Sequence, residues 1–201
     1  MNLGVALGVS YLVGAIPASY LIARFAGGVD LRNVGSGNLG ATNLFRALGW
    51  KFAVPAGLFD IGKGFAPVFF LSPWVGDDFW IPLSLGAAAI VGHVFPIYLK
   101  FKGGKGVATA LGAVIAIAPI PSAIAVGIWV VILKTTGFMS MASMLGATAF
   151  PIAVWFFQKG NPPLLWAGIA IAGFIVFTHR ENIRRLLSGT ESRFGRGRKV
   201  T

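Results

Sequence analysis

Three clusters of small polar and basic residues interrupt an otherwise apolar chain. The first is Val34-Gly-Ser-Gly-Asn-Leu-Gly-Ala-Thr-Asn43, followed by Leu44-Phe45-Arg46. Gly35, Gly37 and Gly40 permit positive φ and close backbone approach. Successive N–H groups in such a loop form a concavity that takes an anion, and Ser36, Asn38, Thr42 and Asn43 add neutral donors. A helix opening after Gly40 would turn its dipole toward the same anion, with Arg46 about one turn further on. The same residues also suit an ordinary turn with a helix cap. The second cluster opens at His93 and holds Lys102-Gly103-Gly104-Lys105-Gly106 before an apolar helix. Its glycines are expected to expose backbone N–H groups beside two ammonium groups. The spacing is not that of a Walker A loop. Lysines at a membrane edge are an alternative reading, one that accounts for Lys100 but not for the glycines. The third cluster is His179-Arg180-Glu181-Asn182-Ile183-Arg184-Arg185-Leu186, then Gly189, Glu191 and Arg193. On a helix, His179, Asn182, Arg185 and Leu186 share one face, which would turn His179 and Asn182 toward a reaction site; a basic anchor after a last membrane helix is the plainer reading.

Two charges fall inside an apolar stretch, Asp60 and Lys63, at a spacing that permits a mutual pair. Charges within membrane helices are costly and mark function by default. The pair is open to two readings: purely structural, or one in which Lys63 also adds positive potential to an anion site. Ser140 and Ser143 are candidates for polar lining, although small residues in membrane helices often serve packing.

Positioning these clusters requires membrane-spanning elements. Of 201 residues, 56% are hydrophobic and 11% charged, and the mean hydropathy is +0.78; soluble domains carry about 25% charged residues. Apolar runs near 20 residues read as transmembrane helices. The expectation is one all-α integral membrane domain over residues 1–201, with spans at about 3–25, 52–71, 80–99, 137–157 and 163–178. The stretch 107–133 carries Pro119-Ile120-Pro121 at its middle and reads as one kinked helix or two short ones. The positive-inside rule decides between them. With two crossings there, every one of the 17 basic residues except Lys63 and Lys159 lies on the cytoplasmic side, including Arg196, Arg198 and Lys199 of the tail. A single crossing would send that tail outside. The expected architecture is therefore seven transmembrane helices, N-terminus outside and C-terminus cytoplasmic, with some spans short. Two helices of about 12 residues would each cover roughly 18 Å of a roughly 30 Å core, and need shelter from neighbours or a thinner bilayer. Trp74, Trp80, Trp155 and Trp166 fall near span ends, as an aromatic belt does. No basic residue precedes the first apolar stretch, so that helix is expected to be retained rather than cleaved. The net charge of +11 is interleaved with spans and carries no nucleic-acid motif, which argues against nucleic acid as a partner. With no cysteine, thiol catalysis and disulfides are excluded, and His93 and His179 alone do not make a metal site. No cofactor is expected.

The stretches GSGNLGATNLFRALG, GHVFPIYLKFKGGKGVATALG and HRENIRRLLSGTESRF, together with DIGKG in the second span, resemble the bacterial acyl-phosphate-dependent glycerol-3-phosphate acyltransferases, the PlsY family. The similarity runs in order along essentially the whole chain. It implies an enzyme of the bacterial inner membrane with a cytoplasmic active site. Such an enzyme moves a fatty acyl group from acyl phosphate to glycerol 3-phosphate, releasing lysophosphatidate and inorganic phosphate. A soluble acyl-phosphate-forming enzyme is a plausible partner, alongside membrane lipid. The His-x4-Asp pair of a common acyl-CoA acyltransferase family is missing: Tyr98 stands five residues after His93, and Arg184 five after His179.

An acyl phosphate is already activated, so orientation and stabilisation of the oxyanion and departing phosphate are the main demands. Phosphate binding is assigned to Ser36, Gly37, Asn38, Thr42, Asn43, Arg46, Lys63, Gly103, Gly104, Lys105 and Ser143. Asn182 is expected to donate to the carbonyl or orient the glycerol. His179 is the protein's candidate general base; a phosphate oxygen of bound substrate is the alternative proton acceptor. The rival function is a transporter of a phosphate-bearing metabolite, which should place polar residues along a path to the far face; a lipid-binding or scaffold role is a third.

Overall fold

The structure is a computed structural model that describes residues 1–195; Arg196, Arg198 and Lys199 lie outside the described residues. The described chain is helical throughout, with no strand among the described residues. It packs as two compact units, Met1–Ile117 and Ala118–Thr201.

The first unit begins with α1 (Leu3–Ala15) and α2 (Ala18–Gly27). The sequence places one span at about 3–25. The apolar stretch does run through Leu3–Gly27, but Pro17 lacks an N–H and pushes Ile16 out of the helical region, to ψ 115°, as the residue before a proline prefers. A 3₁₀ turn (Leu31–Asn33) and the short α3 (Ala41–Leu48) follow. Then α4 (Trp50–Ala66) passes through a π-helical turn at Pro67–Leu71 into α5 (Ser72–Val75). Proline here removes a ladder donor, and a π turn is one way a helix absorbs the fault. After α6 (Trp80–Val94) comes a 3₁₀ turn at Ile97–Leu99, then α7 (Val107–Ile117).

Glycines set the packing of this unit. α1 lies along α6, and α4 along α7. A Cβ on Gly14 would sit 2.2 Å from the Ala89 carbonyl oxygen, and one on Gly92 2.2 Å from that of Tyr11. In the other pair, a Cβ on Gly64 would sit 2.0 Å from the Thr109 carbonyl oxygen, and one on Gly112 1.9 Å from that of Ile61. Backbone touches backbone in both seams, the close approach that small residues allow between membrane helices. One apolar cluster joins Ala6, Val68, Ile81, Leu85 and Ala113; another joins Ala23, Leu31, Leu39, Leu44 and Ala56 and anchors the first polar loop.

The second unit contains α8 (Pro119–Thr136), α9 (Met139–Phe157), α10 (Pro162–Thr178) and α11 (Arg180–Leu187). α9 packs against both α8 and α10. The stretch 107–133 thus holds two helices, but they are unequal: α7 has 11 residues and α8 has 18. Pro119 and Pro121 stand in the first turn of α8, where their missing N–H groups cost no helical hydrogen bond, and the helix runs on past Lys134. Among the described residues, five segments are long and apolar enough to cross a membrane: Leu3–Gly27, Trp50–Val75, Trp80–Leu99, Pro119–Thr136 and Met139–Phe157. A sixth arises if α10 and α11, bent by 60°, count together, and α7 is a shorter apolar helix. Trp74, Trp80, Trp155 and Trp166 are all exposed near helix ends.

Candidate active site

In the first polar loop, Asn43 acts inward. Its side chain is buried in α3 and reaches back over the loop before it. Nδ2 donates to the carbonyls of Leu31 (3.1 Å) and Val34 (3.0 Å), while Oδ1 accepts from the Ser36 N–H (3.0 Å). Both amide protons are therefore engaged, and Asn43 shapes the loop rather than offering donors to a ligand. Gly35 is required by that clasp: its φ is +58°, and a Cβ there would lie 2.3 Å from Asn43 Oδ1. Ser36 and Gly37 stand exposed, and Asn38 and Thr42 are half-buried. The N-cap of α3 is Gly40, and no side chain caps it, so its first turn keeps the electropositive end expected of an anion cradle. Arg46 is half-buried in the last turn of α3.

The second loop departs from expectation at its glycines. The N–H of Gly103 donates to the Val94 carbonyl (3.0 Å), and that of Gly104 to the His93 carbonyl (3.1 Å). These amides finish the C-terminus of α6 instead of facing outward. The loop is tight: Lys100 and Phe101, both non-glycine, have φ of 52° and 61°. Lys105 follows, half-buried, just before α7.

Lys63 is buried and paired. Its Nζ lies 2.7 Å from Asp60 Oδ1 and donates to the Ile16 carbonyl at 2.8 Å. That carbonyl is available because the helix breaks at Pro17. With both contacts made inside the fold, Lys63 is placed as the partner of Asp60. His93 Nδ1 stands 3.6 Å from the same Asp60 oxygen, outside hydrogen-bond range. Asp60, Lys63 and His93 line a small recess together with Ile16, Pro17, Leu39, Gly103 and Gly104. The recess thus collects residues from the helix break, the first loop and the second loop.

In the second unit the polar residues converge on Glu191. Ser140 Oγ and Asn182 Nδ2 each donate to Oε1 at 2.7 Å, and Arg185 Nε donates to Oε2 at 2.7 Å. Burial raises the Glu191 pKa, but the hydrogen bonds from Ser140, Arg185 and Asn182 outweigh it and hold the carboxyl below the usual range. His179 is buried, and its Nδ1 lies 2.7 Å from the Ile175 carbonyl. A carbonyl can only accept, so Nδ1 carries the proton, and in the neutral ring Nε2 keeps its lone pair. Ser143 is buried in α9.

Sequence reasoning gave no role to His93 or Glu191 and left Asp60 outside the site. Each is a titratable side chain buried in or beside an apolar helix, which is itself a signal. Their partners, such as the Ser140 hydroxyl 51 residues from Glu191, have no sequence signature.

Residues 4–189 match the sequence model of the family described as glycerol-3-phosphate acyltransferase. The chain is 43% identical over 192 residues to the glycerol-3-phosphate acyltransferase of Geobacter sulfurreducens, covering 92% of this chain and 94% of that one. With the enzyme of the same name from Aquifex aeolicus it shares 43% identity over 187 residues, covering 92% and 95%. The crystal structure of PlsY (YgiH), an integral membrane glycerol 3-phosphate acyltransferase, in its glycerol 3-phosphate form superposes with a TM-score of 0.90 at 40% identity over 96% of both chains. Its lysophosphatidic acid form gives 0.86 at 39% identity, over 96% of this chain and 95% of that one. With sequence, length and helical architecture in agreement, the chain belongs to the glycerol-3-phosphate acyltransferase family of integral membrane acyltransferases.

Proposed function

We propose that this protein acylates the 1-hydroxyl of sn-glycerol 3-phosphate with a fatty acyl group taken from an acyl phosphate, producing lysophosphatidate and inorganic phosphate for phospholipid synthesis. The observation that carries this reading is the full-length likeness to two crystal structures of PlsY, one a glycerol 3-phosphate form and the other a lysophosphatidic acid form, molecules that differ by one acyl group. An acyl phosphate as donor fits the chain's polar loops, rich in basic residues and glycine, and its lack of the His-x4-Asp pair.

In the reaction, the glycerol oxygen attacks the acyl carbonyl carbon and gives up its proton. The tetrahedral oxyanion then collapses, the carbon–oxygen bond to phosphorus breaks, and phosphate leaves. Ser36, Gly37, Asn38, Thr42, Arg46 and Lys105 are assigned to the phosphate groups, with the uncapped start of α3 as the dipolar contribution. Asn43, Gly103 and Gly104 shape the loops that carry them. Ser143 is assigned to polar lining and Asn182 to the carbonyl or the glycerol. His179, with Nε2 unprotonated, takes the hydroxyl proton, or a substrate phosphate oxygen does. Near-normal turnover in His179→Gln selects the second route.

Seven crossings are assigned: the five long segments, α7, and α10. An odd number separates the termini, and the basic clusters set the C-terminus and the active site on the cytoplasmic side of a bacterial inner membrane. A soluble enzyme that forms acyl phosphate is the natural supplier of the donor.

The test is product formation by purified protein in lipid, without added metal, from glycerol 3-phosphate with palmitoyl phosphate or with palmitoyl-CoA. Lysophosphatidate from the acyl phosphate alone is the expected result. Product from the CoA ester alone overturns the donor.

A further inference from the structure

We infer that Asp60 and His93 are positioning residues for the Gly-rich loop, acting through Gly104 to set where Lys105 stands; this rests on the reading of Lys105 as a phosphate ligand. The loop has reason to need holding. Lys100 and Phe101 sit at positive φ without being glycine, a conformation that persists only where surroundings over-determine it. Two ties from the end of α6 do so. The His93 and Val94 carbonyls accept from Gly104 and Gly103. The His93 ring then lies flush against the loop: a Cβ on Gly104 would come 2.1 Å from Nε2. Behind the ring, Nδ1 faces the Asp60 carboxylate at 3.6 Å. Asp60 is fixed in turn by Lys63, itself tied to the Ile16 carbonyl.

Among the described residues, buried His93 Nδ1 completes no hydrogen bond, and buried Asp60 Oδ1 has its ion pair with Lys63 and no other partner within bonding distance. Buried polar atoms are seldom left so, and these two face each other across the recess that Gly103 and Gly104 also line. The chain of contact therefore runs from the helix break, through a buried ion pair and an imidazole, to the backbone of the residue before Lys105. Gly104 is glycine because the ring occupies the place of its side chain. Neither side chain is assigned a contact with the reacting atoms.

The experiment uses the full chain in lipid nanodiscs with His93→Ala, His93→Gln and Asp60→Asn, read two ways. Hydrogen–deuterium exchange at the Gly103 and Gly104 amides tests the holding itself. Their carbonyl acceptors remain in every variant, so about tenfold faster exchange there, with α1 and α6 unchanged, is expected from at least one variant that folds. Unchanged exchange overturns the proposal. Kinetics test the consequence. KM for a phosphate-bearing substrate should rise about tenfold in His93→Ala, and this rise should be non-additive with that of Lys105→Ala, since coupled sites fail additivity. A loss confined to the amount of active protein, with KM constant, means a structural role only and also overturns it. If Lys105→Ala leaves both KM values unchanged, the phosphate assignment fails, while the exchange measurement still decides whether His93 and Asp60 hold the loop.

Discussion

Two buried carboxylates organise the two units of this protein, and they are satisfied very differently. Glu191 takes three hydrogen bonds of 2.7 Å, from a hydroxyl, an amide and a guanidinium, with its side chain 5% exposed. Asp60 has one ammonium at 2.7 Å and an imidazole just too far away to bond. Glu191 closes a clasp on the chain that follows α11, near water, with a partner in Arg185 that keeps 36% of its side chain exposed. Asp60 sits within an apolar helix, and its ion pair has 2% and 4% exposure. The first arrangement is saturated and stiff. The second is a strong pair with an unfinished edge, and that edge faces the loop assigned to phosphate. Saturation suits a fastening, whereas an unfinished edge suits a place that must accommodate change.

The largest effect that can break this comparison is loss of one member of the buried pair. Asp60→Asn leaves the Lys63 ammonium without its counter-charge and is expected to cost about 3–5 kcal/mol, measured by unfolding in detergent. Adding Lys63→Met should recover more than half of the loss, because a buried apolar side chain replaces a stranded charge. If the double variant is no more stable than the single, the pair is not the stabilising unit. Next comes Glu191→Ala, which strands three donors. Arg185 can turn to water, so the expected cost is about 2 kcal/mol, with Glu191→Gln less harmful than Glu191→Ala. A cost equal to that of Asp60→Asn would erase the distinction between the two sites.

A smaller effect separates them by pH. The Glu191 carboxyl is held below its ordinary 4.5. A depressed carboxylate contributes stability above the unfolded value and loses it as pH falls through the folded one. Thermal stability should therefore fall with acidification below about pH 4.5, and Glu191→Gln should flatten that part of the profile. A profile identical in parent and variant removes Glu191 as the cause. The smallest effect is expected at Asp30. Its hydrogen bonds from Arg32 hold its pKa at about 2, yet Arg32 is half exposed. Exposed pairs contribute little, so Asp30→Asn should leave Tm unchanged. A clear drop would show that the loop after α2 is fastened there.

The long apolar helices were legible because membrane helices announce themselves by apolar length alone, and the polar clusters because glycine, serine and lysine stand out against such runs. The faults were local. Pro17 reads like any proline near a membrane helix; that it breaks α1 from α2 and frees the Ile16 carbonyl is visible only with Lys63 in place. For Asn43 and Lys63 the residue type alone does not say whether a donor points outward to a ligand or inward to the fold; their inward bonds to Leu31, Val34, Asp60 and Ile16 are visible only in three dimensions. Gly103 and Gly104 have the composition of an anion loop, but their amides answer to the end of α6. His93 and Glu191 went without a role because tertiary contact, and not spacing, defines them. What the sequence conveys well is which segments are polar. Which of their atoms remain for a substrate is decided by neighbours far along the chain.

The glycine seams carry a consequence for motion. At Gly14 and Gly92 between α1 and α6, and at Gly64 and Gly112 between α4 and α7, no side chain stands between the two backbones. A contact of that kind has no rotamers to exchange at that point, so it does not loosen by degrees. It slides as a unit or stays shut, since packed interfaces are bistable rather than continuously deformable. The joints that these contacts do not cover, the Ile16–Pro17 break and the two polar loops, are where the first unit has room to yield when a long-tailed substrate arrives or a product departs.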